Sequence, residues 1–262
     1  MKKIVLAIMI VALLCACLCG CGESQKTVED LKEKGSLTVA TSPDFPPFEL
    51  LESDGTVSGI EIEIMQKVCD ELGVTLKIEQ MDFDSVLPGV SAKKYDAAAS
   101  GISLDEKRSK NVLFCDPFCL AAQAIVVPAG SDITCKADLE GKLISVQTST
   151  TAEAFCMNNG YNVSSFAANS DAELALTTGK VDAWVIDDLT AAEMVKAYNE
   201  ENPGALVVLD EAMTTEPYAF AFSFGSEPIV KEINKILKQM LEDGTIAAIF
   251  EKYDAPFTSP LQ

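Results

Sequence analysis

From residue 36 onward the chain alternates short apolar runs with amphipathic stretches of helical period, and the alternation breaks off and then restarts. Residues 37–41 read as a strand. Residues 59–72 carry Ile60, Ile64, Val68 and Leu72 at helical spacing and end at Gly73, a helix stop. Residues 74–80 alternate as a strand, 84–94 read as a helix interrupted by Pro88, and 95–100 as a buried strand. The order resumes with a strand at 143–147, helices at 151–159 and 172–178 closed by Gly160 and Gly179, and a strand at 181–186. Such alternation gives mostly parallel sheets flanked by helices, and the restart predicts two small α/β lobes. Two β-rich runs, 121–127 and 218–224, flank the second set and read as paired crossings between the lobes. The last helix, 227–241, then returns to the first lobe, so the expected division is 36–121, 122–217 and 218–262.

Ahead of this pattern Lys2 and Lys3 precede an apolar stretch that is short for a membrane span, which needs ~20 residues. A positive start, a short apolar core and small residues at its end predict a secretory leader over 1–20. Leu18-Cys19-Gly20-Cys21 resembles a bacterial lipobox, in which the cysteine becomes the lipidated first residue; Leu14-Cys15-Ala16-Cys17 is a weaker match. The expected mature protein is therefore extracytoplasmic and held to the cell membrane through Cys21 and a tether over 21–35. Loss of Lys2 and Lys3 lowers the 20 cations to 18 against 40 acids, a net charge of −22. That excess argues against nucleic acid or an anionic surface as partner. The chain has no histidine, which removes most hydrolase triads and the commonest metal ligand, so neither metal nor cofactor is expected. Cys69, Cys115, Cys119, Cys135 and Cys156 remain beyond the leader, an odd number read mostly as buried small hydrophobes.

The basic residues are nineteen lysines and one arginine, Arg108, which follows Ser100-Gly101-Ile102-Ser103-Leu104-Asp105-Glu106-Lys107. Only arginine offers a planar fork for two parallel hydrogen bonds to a carboxylate. The spacing places Arg108 at the third position of a helix capped by Asp105, whose free N–H groups, with the Ser103 hydroxyl, would complete a carboxylate cradle. Asp187 ends the run from Val181, where a parallel strand presents its last residue to the crevice of an open sheet. Its neighbour Asp188 reads alternatively as a cap for the next helix. Gln147-Thr148-Ser149-Thr150-Thr151 follows a strand and opens a helix, a second set of hydroxyl and N–H donors.

Gly59-Ile60-Glu61-Ile62-Glu63-Ile64-Met65-Gln66-Lys67-Val68-Cys69 resembles a motif of the family-3 bacterial extracellular solute-binding proteins. Pro46-Pro47-Phe48-Glu49, Tyr95-Asp96-Ala97, Asp116-Pro117-Phe118, Glu242-Asp243-Gly244-Thr245-Ile246 and Glu251-Lys252-Tyr253 are similar to further motifs of that family, in the same order. The resemblance implies a type II periplasmic-binding-protein-like fold, two lobes joined by two crossing strands. It also implies non-covalent binding of a free amino acid by a monomer and delivery to an ABC import permease, without catalysis. By the same resemblance Ser100, Gly101, Ser103 and Arg108 hold the ligand carboxylate and Asp187 its ammonium. Gln147, Thr150 and Thr151 face the ligand from the second lobe, and Phe45 and Phe83 sandwich its aliphatic part. The chain departs from the pattern at Asp105, usually threonine, and at Ser149, usually glycine. Basic-residue binders often carry an acid at the position of Ser42; its absence favours a polar, uncharged ligand, although Asp44 lies nearby. Rival readings are a ligand-presenting sensor for a chemoreceptor and a cyclohexadienyl-dehydratase-like enzyme on the same fold, which would need a positioned general acid and an extra cation.

Overall fold

The computed structural model describes residues 25–261. The leader, Cys21 and the first residues of the tether lie outside that range. The stretch expected as a tether instead includes helix α1 (Val28–Lys34), because Thr27 and Asp30 form a reciprocal capping box and Gly35 ends the turn at φ 76°. Strand β1 (Ser36–Thr41) follows, then the short strands β2 (Asp44–Phe45), β3 (Glu49–Leu51) and β4 (Val57–Ser58). Next come α2 (Ile60–Leu72), β5 (Thr75–Gln80), α3 (Phe83–Ser91), β6 (Ala97–Ala98), β7 (Leu113–Phe114), β8 (Cys119–Ala121) and β9 (Gln123–Pro128). The second half comprises β10 (Leu143–Gln147), α4 (Thr151–Asn158), β11 (Asn162–Phe166), α5 (Asn169–Thr177), β12 (Ala183–Asp187), α6 (Asp188–Glu201) and β13 (Leu206–Val208). The chain closes with β14 (Glu216–Tyr218), β15 (Ala221–Phe222), α7 (Glu227–Glu242) and α8 (Thr245–Lys252).

Two five-stranded sheets define two lobes, with orders β5-β1-β6-β15-β7 and β11-β10-β12-β9-β13. In each, four strands run one way and the fourth in the order, β15 or β9, runs against its neighbours. The opposed strand is in both cases the one entered directly from the connection between lobes. That connection is a two-stranded antiparallel ribbon of β8 and β14, with Glu216 opposite Ala121 and Tyr218 opposite Cys119. The expected crossings over 121–127 and 218–224 are thus corrected. Those runs contain β9 and β15, central strands buried on both faces, which makes them the more apolar segments and the more conspicuous in the sequence. The true ribbon lies just before each.

Other differences are local. Pro88 does not interrupt α3, since it forgoes one bond to the carbonyl of Asp84 on the exposed side of a nine-residue helix. The strand expected over 95–100 pairs only at Ala97 and Ala98. Before it the Asp96 carboxylate accepts bonds from Thr38 N–H (2.8 Å), Lys34 Nζ (2.5 Å) and Lys26 Nζ (3.0 Å), fastening α1 to the sheet. Burial pushes the Asp96 carboxyl up, but Lys34, the Thr38 N–H and Lys26 outweigh it and hold the group below the usual carboxylate range.

Each sheet is covered on both faces. In the second lobe Ala183 and Val185 join a cluster with Ile144, Val146 and Cys156, while Trp184 and Ile186 point the other way, among Val126, Ala172, Leu176 and Val195. The first lobe packs Ile60, Ile64, Val68, Ile233 and Phe250 on one face and Val86, Val90, Ile102 and Val112 on the other. The five described cysteines are free, and four are buried. Among the described residues no helix is long and apolar enough to cross a membrane.

Candidate functional site

The C-terminal ends of β1, β6, β10 and β12 converge on the cleft between the lobes, where open α/β sheets bind ligands. A small cavity lies there, lined by Phe45, Phe83, Ser100, Gly101, Ser103, Arg108, Gln147, Thr150, Thr151 and Asp187, together with Ser42 and Asp44. All ten residues singled out in the sequence therefore meet at one place, and the last two join them.

Arg108 reaches the cleft from a three-residue 3₁₀ turn, Arg108–Lys110, rather than from the expected α-helix. Its own N–H donates to Asp105 Oδ1 at 2.7 Å, so Asp105 serves as a local cap and the backbone donor foreseen for a ligand is already engaged. The guanidinium lies 5.6 Å from the centre of the Phe83 ring, donating from Nη1 to the carbonyl of Ser103 (2.9 Å) and from Nη2 to the carbonyl of Ser149 on the other lobe (3.1 Å). Phe83 is thus a platform for Arg108 as well as a wall of the cavity. Ser149 adopts φ +66°, so the backbone keeps the left-handed conformation a glycine would supply, and its carbonyl is the one that meets Arg108.

Gly101 has φ +53°, and a Cβ there would sit 2.4 Å from the Phe45 ring. Glycine is required at this point twice over: the ring must press against bare backbone, and the backbone is left-handed. Phe45 in turn stacks on Phe48, 5.8 Å between centres. The Gly101 N–H donates to Glu61 Oε1 at 3.2 Å. Glu61 and Glu49 are fully buried behind this loop, and Glu61 Oε2 and both Glu49 oxygens find no hydrogen-bond partner among the described residues. Burial pushes the Glu61 carboxyl up to about 8; burial and the neighbouring Glu61 and Asp44 push Glu49 well up also.

Asp187, 7% exposed, is held by two residues that the sequence reading did not single out. The Gln123 amide and the Tyr218 hydroxyl each donate to one of its oxygens. Tyr218 belongs to the crossing strand β14 and packs edge-on against Phe48 at 5.1 Å, so it joins ribbon, first lobe and second lobe. Burial pushes the Asp187 carboxyl up to about 8, with Tyr218 pulling it down, Glu216 and Asp188 adding to the rise, and Arg108 pulling down. Asp188 faces elsewhere, its Oδ1 accepting the N–H groups of Ala122 (3.3 Å) and Leu189 (2.8 Å). Nothing local marks Gln123 or Tyr218 beyond a polar residue at the head of one apolar run and a tyrosine at the head of the other.

Thr150 caps α4, accepting from Glu153 N–H (3.1 Å) and donating to Gln147 O (2.7 Å), so much of its hydroxyl is spent on the helix start. Thr151 Oγ1 lies 3.4 Å from Ser103 Oγ across the cleft and 3.3 Å from Gln123 Nε2. Ser100 Oγ accepts the Ser42 N–H at 2.9 Å. Arg108 from the first lobe and Asp187 from the second, each flanked by hydroxyls, face a small shared space that Asp44 also borders.

Two α/β lobes, a two-strand ribbon and a cavity between them that carries both charges define a protein of the periplasmic-binding class. Residues 37–256 match the family of bacterial extracellular solute-binding proteins, family 3, and the chain belongs to it. It is 27% identical to the L-cystine-binding protein TcyJ of Escherichia coli K12 over 256 residues, 96% of this chain and 95% of that protein. Among solved structures it is similar to a mutant of ArgBP from T. maritima, at 34% identity and TM-score 0.79, covering 87% of this chain and 98% of that one. It is also similar to AncCDT-1, an ancestral amino acid-binding protein and a precursor of cyclohexadienyl dehydratase (29% identity, TM-score 0.80, 87% and 99% covered).

Proposed function

We propose that this protein binds a free amino acid between its lobes and delivers it to an ABC import permease from outside the cytoplasm, held at the membrane by lipid on Cys21. The observation that carries the reading is that Arg108, from the first lobe, and Asp187, from the second, line the same cavity. An α-carboxylate and an α-ammonium are a few ångströms apart, and the pair offers each its counter-charge from a different lobe. A ligand held this way favours closure, because only the closed state presents both charges. Phe45 forms the apolar wall, while Ser42, Asp44 and Gln147 bound the remaining space. The Asp44 oxygens already accept from Ser42, Asn169 and Gln147, which leaves little acceptor capacity for a cationic side chain, and on that count we favour a polar, uncharged one.

A thermal-shift screen of the twenty amino acids and L-cystine tests this. A ligand at 100 times its Kd adds ~2.7 kcal/mol of stability. Absence of a shift with every one of them would remove the amino-acid reading. Mass spectrometry of the native mature protein should find diacylglycerol on Cys21; an unmodified N-terminus elsewhere would remove the anchor.

A further inference from the structure

Helix α5 begins at Asn169, and the residue in its capping position is Ala168, which has no side chain able to accept a bond. A helix start left so is short of acceptors for its first N–H groups. The acceptor comes from the other lobe. Asp44 Oδ2, on β2, accepts the Asn169 N–H at 2.8 Å and the Gln147 amide at 3.2 Å, while Oδ1 accepts the Ser42 hydroxyl at 2.9 Å. Gln147 Oε1 in turn accepts from Asn169 Nδ2 at 3.0 Å, so the three side chains form one cluster across the cleft. A carboxylate at a helix start also meets the positive end of the helix dipole.

The other inter-lobe bonds here, from Arg108 to the Ser149 carbonyl and between the Ser103 and Thr151 hydroxyls, use groups assigned above to the ligand carboxylate. The Asp44–Asn169 bond uses none of them, while the Asp44–Gln147 bond uses a residue that faces the ligand. We infer that Asp44 is a closure residue: its carboxylate caps α5 in trans, so the closed state is favoured by a bond made whichever amino acid occupies the cleft. Opening the lobes separates the two and leaves α5 without a side-chain cap. Since apparent affinity scales with the fraction of molecules in the binding-competent state, loss of this contact multiplies every ligand's Kd by the same factor. This rests on the two-lobed binding reading above.

The test is calorimetric titration of the mature protein, Asp44→Ala and Asp44→Asn with each L-amino acid that binds the native chain, beside small-angle scattering with and without ligand. Asp44→Ala should weaken all ligands alike, by about 5- to 30-fold. Asp44→Asn keeps an acceptor for the Asn169 N–H and should lose less. Unchanged affinity in Asp44→Ala overturns the inference, as does a loss confined to one ligand, which would make Asp44 a selector of side chains. Should no amino acid bind the native chain, the functional reading fails, and scattering alone then decides closure. Asp44→Ala more extended than the native protein upholds the cap; equal dimensions overturn it.

Discussion

At the scale of residues, the two charges that face the cavity make different demands. Arg108 spreads its guanidinium over Phe83 and bonds two carbonyls, one on each lobe, which a lysine point charge cannot reproduce. Arg108→Lys should therefore weaken ligand binding almost as much as Arg108→Ala, by ~2–4 kcal/mol. Calorimetry on both variants checks this, and native affinity in Arg108→Lys would defeat the argument from the fork. Asp187 holds a proton near neutrality, since its carboxyl is pushed up to about 8 by burial. An arriving ammonium needs the ionised form and draws the group back down. Binding should thus release a proton, and affinity should rise with pH until about 8. Titrations in buffers of different ionisation enthalpy read the released proton directly; heats independent of buffer would show Asp187 already ionised. Asp188→Asn, which keeps an acceptor for Ala122 and Leu189, should leave affinity unchanged.

Among the elements, α1 shows how a short helix outside the expected lobe is held. Its seven residues are too few to be stable alone, and the capping box and Leu31 in the core are supplemented by the bonds of Lys34 and Lys26 to Asp96. Asp96→Asn should loosen α1 and cost about 1–2 kcal/mol, the half-exposed lysines keeping the loss below that of a fully buried pair. The Asp96 carboxyl is held below its usual value, so its contribution is complete above the unfolded-state value of about 3.9 and is lost as pH falls through the lower folded value. Urea unfolding of native and variant proteins at neutral pH, with hydrogen exchange across residues 28–34, measures both the cost and its location. Protection of α1 equal to that of the native chain would exclude Asp96 as its fastening. The ribbon of β8 and β14 teaches a different lesson. Its three residues a side are too few to stand out: Cys119-Leu120-Ala121 merges into the longer apolar run that continues through β9, and Glu216-Pro217-Tyr218 forms no apolar run, so sequence pattern pointed one segment too far along.

For the whole molecule, the buried Glu49 and Glu61 behind the site make stability depend on pH. Glu61 is held protonated up to about 8 when folded but ionises near 4.5 when unfolded, and Glu49 is raised likewise. The folded state then binds more protons, so this stabilisation is complete below about 4.5 and declines as pH rises towards about 8. Glu61→Gln keeps an oxygen for the Gly101 N–H and removes the titrating group. Its melting temperature should fall less between pH 5 and 8 than that of the native chain; an identical slope would place the ionisation elsewhere. The alternation of short strands with glycine-stopped helices is local, set by side-chain period and by what each residue permits its own backbone. For that reason the sequence alone determined the α/β class, the two lobes and the strand ends where Gln147 and Asp187 stand, with Ser100 in the loop just past β6. Which groups meet across the cleft is not local. Gln123 and Tyr218 reach Asp187 across 64 and 31 residues, and Asp44 reaches the start of α5 across 125. No periodicity records such pairings, because they arise only when buried polar groups must find partners in the packed molecule. That requirement, imposed by tertiary structure, decided where the lobes are joined, how Asp187 is held and what caps α5.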